Sequence, residues 1–128
     1  MNRGERIVLG LASLAGLIGV CAGAFAAHGI SDPSAKEVLR TGAQYQMIHA
    51  LAAIAATFAA RAGIRTGRAA GWLFLAGCLL FPGSLYLLAL TTQRWAGPVT
   101  PLGGLCFIAG WAVLAIGAFT AKTGPARA

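Results

Sequence analysis

Apolar residues are grouped along the chain in four long blocks, and short polar segments separate them. The blocks cover residues 7–27, 41–60, 69–90 and 102–121, and none contains Asp, Glu, Lys or Arg. Each has about the 20 residues that a helix needs to cross ~30 Å of hydrocarbon. Because lipid cannot hydrogen-bond the backbone, the pattern predicts an all-α fold, a bundle of four transmembrane helices that forms a single integral membrane domain over residues 1–128.

The second block is the most polar. Gln44, Gln46 and His49 lie in its first half. Its helix is predicted to begin before the block, since Asp32 is a good N-cap residue and Pro33 suits the first helical position. A helix that starts there outruns the bilayer, so its first turns stand in water or lie at the headgroups.

Small residues and one proline predict how the helices pack. Block one carries Ala15, Gly19, Gly23 and Ala27 at four-residue spacing. This small-residue stripe allows two helices to cross closely in lipid, and a crossing within the chain is favoured over self-dimerisation. Pro82, in the third block, has no N–H to donate, so the third helix is predicted to be kinked near it.

Composition excludes several classes of protein. Apolar residues make up 58% of the chain and charged residues 10%, against about 25% charged in a typical soluble domain. Neither an ordinary soluble domain nor a disordered chain fits these values. The net charge of +7 is typical of nucleic-acid binding, but the basic residues lie between apolar blocks, as topology signals do, and no nucleic-acid partner is predicted.

The three cysteines do not indicate a disulfide framework. Cys21, Cys78 and Cys106 each lie in an apolar block and are interpreted as small hydrophobic residues.

The distribution of basic residues predicts that both termini are cytoplasmic. The N-terminal tail, the loop after block two and the C-terminal tail carry Arg3, Arg6, Arg61, Arg65, Arg68, Lys122 and Arg127. The other two loops carry Lys36, Arg40 and Arg94.

Block one also has features of a signal peptide, but its apolar stretch is longer than usual and rich in glycine, which favours a retained helix.

This topology places a set of polar side chains in the outer half of the bilayer. They are His28, Gln46, His49, Ser84, Tyr86 and Thr100, and Thr100 is also the predicted N-cap of a helix that starts at Pro101. One interpretation is structural, with side chains that hydrogen-bond one another and fix the packing. The other is an outward-facing pocket or a docking site, since ionisable groups inside a membrane are functional candidates.

The sequence contains no motif for catalysis or metal binding. It has no H-x-x-x-H and no C-x-x-C, and the apolar blocks contain no carboxylate. Ser84 follows Gly83 without the G-x-S-x-G pattern of a nucleophilic serine. The sequence therefore predicts no metal, no cofactor and no enzymatic activity.

Four motifs resemble those of a known family. Residues 23–29 (GAFAAHG) resemble G-A-F-G-A-H-G, and residues 44–51 (QYQMIHAL) resemble Q-Y-x-M-x-H-A-L. Residues 80–90 (LFPGSLYLLAL) resemble L-F-S-G-S-L-Y-L-L-A-L, and residues 97–104 (GPVTPLGG) resemble G-P-I-T-P-L-G-G, followed by A-G-W at 109–111. The chain resembles the YgdD/YwdK-like small membrane proteins, a family of unknown function with a eukaryotic transmembrane relative. Pro82 and Ala26 depart from the motifs.

The resemblance implies a four-span protein of the bacterial inner membrane but supplies no activity. The predicted function is that of a non-enzymatic interaction or accessory component, which lies in the lipid bilayer and associates with a membrane-protein partner or with copies of itself. Two alternatives use the polar pocket in the outer half of the bilayer. One is an oligomeric transporter or channel, and the other is a protein that binds lipid or quinone.

Overall fold

A computed structural model describes residues 1–122 and Gly124, and this part of the chain is all-helical. Within it the α-helices are α1 (Arg3–His28), α2 (Pro33–Arg61), α3 (Gly67–Leu90) and α4 (Val99–Thr120), and a short 3-10 helix over Arg94–Ala96 precedes α4. The α-helices pack as a bundle, which confirms the predicted fold class. Arg127, one of the basic residues behind the predicted orientation, lies outside the described residues.

Capping side chains define where α1 and α2 begin. The Glu5 backbone N–H donates to Asn2 Oδ1 at 2.9 Å, and the Asn2 backbone N–H donates to Glu5 Oε2 at 2.9 Å. This reciprocal capping box satisfies N–H groups at the helix start. At the start of α2, Asp32 accepts from the Ala35 N–H at 2.8 Å, and Pro33 takes the first helical position. The predicted early start of α2 is therefore confirmed.

The start of α4 differs from the prediction. The helix begins at Val99, after Pro98, so Thr100 lies inside the first turn and is not an N-cap. A proline such as Pro101 is tolerated there because its φ is already helical and an N–H in the first turn has no helical acceptor. The Thr100 hydroxyl instead bonds to Ser84 on α3.

Membrane-spanning character is not the same in all helices. In the described part of the chain, the three helices long and apolar enough to cross a membrane are α1, α3 and the segment Arg94–Thr120, which contains α4. α2 is more polar, but two of its polar residues, Gln46 and His49, are buried. Its 29 residues extend about 43 Å, and it packs along both α1 and α3. The membrane crossing of α2 stays a prediction, which its length and its packing along two apolar helices favour.

α3 continues through Pro82, whose ring is fully buried. The predicted kink stays a prediction, but the proline does not end the helix. Close to it, the Ser84 hydroxyl donates to the backbone O of Phe81 at 2.8 Å. The carbonyl that the missing Pro82 N–H leaves without its helical donor is that of Cys78, so the Ser84 bond does not replace the one that the proline removes.

Small residues allow the helices to approach closely. The buried core consists mainly of alanines with two phenylalanines, namely Val8, Ala12, Ala52, Ala53, Ala56, Ala70, Phe74, Cys78 and Phe107. Where α3 meets α4, a Cβ on Gly103 would collide with the backbone of Phe81, and a Cβ on Gly77 would collide with the ring of Phe107. In lipid such close packing, rather than hydrophobic burial, holds helices together.

The small-residue stripe of α1 packs against α2 over part of its length. Gly19 is buried, and a Cβ there would lie 2.7 Å from Met47 Cγ. At the far end of the stripe, Ala27 is exposed and Ala26 is buried instead. The physical reason is that a strict four-residue spacing drifts by about 40° per step around a helix with 3.6 residues per turn. The stripe therefore leaves the contact with α2 before Ala27.

Candidate functional site

Gln46 connects three helices. Its Nε2 donates to the backbone O of Ala15 on α1 at 2.8 Å, and its Oε1 accepts from the Tyr86 hydroxyl on α3 at 2.6 Å. The Cys78 thiol of α3 lies 3.7 Å from the Gln46 backbone O. The Gln46 side chain is buried. Both ends of its amide are therefore satisfied within the chain, as the membrane interior requires.

His49 lies one turn further along α2 and is enclosed by aromatic rings. Its ring stacks on Phe107 of α4, with centroids 3.5 Å apart and planes 10° apart. His49 Nδ1 lies 2.7 Å from the backbone O of Tyr45, and Trp111 Nε1 donates to His49 Nε2 at 3.2 Å. Because a carbonyl only accepts and an indole N–H only donates, these contacts fix the neutral tautomer with its proton on Nδ1.

The other predicted polar residues divide into a pair and a residue that stands apart. Ser84 Oγ on α3 and Thr100 Oγ1 on α4 share a hydrogen bond of 2.6 Å. His28 ends α1 and is exposed. The predicted polar residues therefore do not form one cluster. All but His28 make separate contacts between helices.

Depth along the bundle also differs from the expectation of a common outer half. The N-terminal end of the bundle is the end where α1 and α3 begin and where α2 and α4 end. Gln46 and His49 lie on either side of the midpoint of α2, and Ala15, which Gln46 contacts, lies at the midpoint of α1. Ser84 and Thr100 lie nearer the opposite end. The spread arises because α2 begins at Pro33, so the first half of block two is the middle of the helix.

Gln44 is an exposed amide on the outer face of α2. Within residues 1–122 it is not one of the side chains that hydrogen-bond to another helix. Met47, three residues further on, lies against Gly19 near the middle of α1. Gln44 therefore lies well inside the apolar zone, where an exposed polar group is costly.

A cluster of charged residues joins α1, α2 and α3 at the N-terminal end. The buried Glu5 carboxylate lies 3.5 Å from Arg61 Nη1 and 3.7 Å from Arg68 Nε. The hydrogen bond from the Asn2 backbone N–H lowers the pKa of Glu5 most, burial raises it, and the two guanidinium groups lower it further. Glu5 precedes the apolar stretch of α1. The net effect is an ionised carboxylate that ties the three helix ends together.

An apolar groove of about 410 Å³ lies between α1 and α3 and has α2 at its base. Its lining consists of Leu11, Leu14, Ala15, Ile18, Gln46, Trp72, Leu75, Ala76, Cys78 and Leu79. Trp72 also lines a smaller cavity at the N-terminal end, together with Asn2, Glu5 and Arg68. The groove and the charged cluster are therefore adjacent. Among the described residues, no group of three or more His, Cys, Asp or Glu could hold a metal ion.

Comparison with known proteins identifies the family. A family model described as "Protein of unknown function (DUF423)" matches residues 22–104, well over half of the chain. The chain is 39% identical to the UPF0382 membrane protein YwdK of Bacillus subtilis over 118 aligned residues. The aligned region covers 88% of this chain and 96% of YwdK. The chain belongs to the DUF423/UPF0382 family of membrane proteins.

Other members are similarly related. The UPF0382 inner membrane protein YgdD of Escherichia coli K12 is 41% identical over 122 residues, which cover 92% of this chain and 93% of YgdD. A UPF0382 membrane protein of Haemophilus influenzae is 40% identical over 118 residues, which cover 90% of this chain and 95% of that protein. No solved structure matches the chain. These relationships confirm the resemblance in the motifs, and this DUF423/UPF0382 chain is a multi-pass inner-membrane protein.

Sequence reasoning missed two residues that the structure of this DUF423/UPF0382 protein places at contacts, and it missed the exposure of a third. Phe107 and Trp111 enclose His49, and Gln44 is the exposed amide on α2. The four-residue spacing of Phe107 and Trp111 indicates a common helix face. No signal in one sequence shows that this face meets His49. Gln44 was visible as a polar residue in an apolar block, but its exposure depends on how α2 is rotated.

Replacing Tyr86 by phenylalanine is expected to destabilise this DUF423/UPF0382 protein by about 0.6–1.7 kcal/mol. The change leaves Gln46 Oε1 without its donor in the membrane interior. Reversible unfolding in mixed detergent micelles measures the effect. Tyr45→Phe is the matched control, since Tyr45 is 42% exposed as a residue and is the other tyrosine of the chain. In a Gln46→Leu background, Tyr86→Phe should cost nothing further, and an unchanged cost there would contradict the pairing.

Proposed function

We propose that the protein is a non-enzymatic interaction component of the inner membrane that binds another membrane protein through the exposed face of α2. The observation that carries the proposal is Gln44, an exposed amide near the middle of a membrane helix. An amide in hydrocarbon gains from a hydrogen-bonding partner on another helix. The partner is accordingly a transmembrane helix with a polar side chain at the depth of Gln44.

The surroundings of Gln44 form a continuous face for such a helix. Ile48, Leu51 and Phe58 follow it at helical spacing and are 48%, 67% and 53% exposed. Arg40 lies one turn before it and is also exposed. This face is apolar over most of its length and polar at one level, which suits a specific helix–helix contact in lipid.

The packing of the interior gives less support to transport. Gln46, His49 and Ser84 are hydrogen-bonded to other parts of the chain. The rings of Phe74 and Phe107 fill the space around His49. Water and solute would have to displace these contacts, so function is assigned to the outer surface of the bundle. Of the alternatives, lipid binding has one feature in its favour, the groove between α1 and α3.

The test is photo-crosslinking of the full-length protein in its own membranes at native abundance. A photoreactive amino acid at Ile48 should capture one defined membrane protein, whereas the same group at Ile108 should capture lipid only. Ile108 is the matched control because it is an exposed isoleucine, 66% exposed, on α4. Capture of a second copy of this chain only, or of lipid only, from position 48 overturns the proposal.

A substitution at Gln44 tests the role of the amide. Gln44→Leu should abolish the Ile48 cross-link without loss of folded protein, because leucine suits lipid better than an amide does. Gln44→Asn retains an amide and should retain part of the cross-link. An undiminished cross-link in Gln44→Leu would contradict the proposed contact.

We also propose that both termini are cytoplasmic. The N-terminal end of the bundle carries most of the basic side chains, including Arg3, Arg6, Arg65 and Arg68, as the positive-inside rule requires. A fluorescent protein that folds only in the cytoplasm should therefore fluoresce when fused to the N-terminus, and a dark fusion that is present in the membrane contradicts the orientation.

A further inference from the structure

The groove between α1 and α3 occupies only part of the depth of the bundle. On α3 its lining begins at Trp72 and ends at Leu79, and on α1 it begins at Leu11 and ends at Ile18. From Arg68, one turn before Trp72, the distance along α3 to Leu79 is about 16 Å at 1.5 Å per residue. This is about half of the ~30 Å hydrocarbon thickness. The lined stretch itself, from Trp72 to Leu79, rises about 10 Å. The groove therefore ends about one leaflet below the level of Arg68.

The groove is open to the lipid and lined mainly by aliphatic side chains. Leu79 is 75% exposed and Leu14 is 50% exposed, while the floor includes Cys78 and Gln46. The Gln46 amide is occupied at both ends by Ala15 and Tyr86. The floor therefore presents no polar group that requires a polar ligand. A flexible hydrocarbon chain suits such a lining.

Charge is concentrated where the groove meets the surface. The basic side chains at the N-terminal end of the bundle are Arg3, Arg6, Arg61, Arg65, Arg68 and Lys122, and Glu5 is the acidic side chain among them. The Arg68 side chain is 66% exposed, so its guanidinium reaches solvent as well as Glu5. The cavity that Arg68 lines is adjacent to the groove, since Trp72 lines both.

We infer that the groove binds an anionic phospholipid from the leaflet at the N-terminal end, with one acyl chain between α1 and α3 and the phosphate beside Arg68. The half-bilayer depth favours a lipid over a partner helix, because a spanning helix needs a groove through the full thickness. The excess of basic side chains at the surface favours an anionic over a zwitterionic headgroup. The inference is independent of the partner contact proposed for α2.

Native mass spectrometry of the purified full-length protein tests the inference, with phosphatidylglycerol and phosphatidylcholine of identical acyl chains as probes. The protein should retain one phosphatidylglycerol and prefer it to phosphatidylcholine. Arg68→Gln should reduce this preference about fivefold, since one basic residue near anionic lipid contributes about that factor. Arg65→Gln is the control, because it removes the same charge at the same end but lines neither the groove nor the cavity beside it.

A second variant tests the groove without touching the charged cluster. Ala76→Phe places a ring in the groove and should abolish retention of phosphatidylglycerol. Ala118→Phe is the matched control, an exposed alanine on α4. The inference fails if both lipids are retained equally by the unmodified protein, or if Ala76→Phe retains as much phosphatidylglycerol as Ala118→Phe. The α2 contact is measured separately by the Ile48 cross-link.

Discussion

Gly103→Ala is expected to destabilise the folded protein by about 1–3 kcal/mol, as overpacking of a close contact does. A Cβ at position 103 would collide with the backbone of Phe81 on α3, and 2.7 Å would separate it from Phe81 Cα. A backbone cannot move aside as a side chain can, so α4 has to shift away from α3. That shift also disturbs the hydrogen bond between Ser84 and Thr100. Reversible unfolding in mixed micelles measures the loss.

The neighbouring glycine provides the control. A Cβ on Gly104 would lie 3.9 Å from Phe81 Cδ2, an ordinary van der Waals contact. Gly104→Ala should therefore leave stability unchanged or raise it by up to about 1 kcal/mol through the higher helix propensity of alanine. The two substitutions add the same methyl group one residue apart. Equal effects at the two positions would contradict the packing of α3 against α4.

His49→Ala is expected to cost about 2–5 kcal/mol, in the range measured for large-to-small substitutions in a packed interior. The change removes the ring that stacks on Phe107 and leaves Trp111 Nε1 without its acceptor. Both losses fall at the contact of α2 with α4. Unfolding measures the total cost, and the tryptophan emission of the folded variant should shift because the environment of Trp111 changes.

His28→Ala is the matched control for this substitution. His28 is exposed at the end of α1, whereas His49 is 5% exposed. The control should change stability by no more than about 0.5 kcal/mol, as is usual for surface positions. If the two histidine variants unfold alike, the role of His49 in joining α2 to α4 is wrong.

The polar residues show which parts of the site could be predicted from the sequence. A glutamine and a histidine in an apolar block predict hydrogen bonds between helices, because lipid offers none. Their partners could not be predicted from the sequence alone, since Tyr86 follows Gln46 by 40 residues and Trp111 follows His49 by 62 residues. The rotation of each helix decides such pairs. The same rotation turns Gln44 outward and Gln46 inward, although both are glutamines in one block.

The sequence by itself determined the fold class, the early start of α2 at Pro33 and the family. Each rests on local chemistry: long uncharged apolar blocks, capping by Asp32 and motifs that are contiguous in the chain. Only the tertiary structure decided the pairing and depth of the polar residues, the close contact at Gly103 and the groove between α1 and α3. These features depend on how far each helix is rotated and shifted along its axis relative to its neighbours. The apolar pattern of the sequence determines neither quantity, because lipid contacts every apolar helix face equally well.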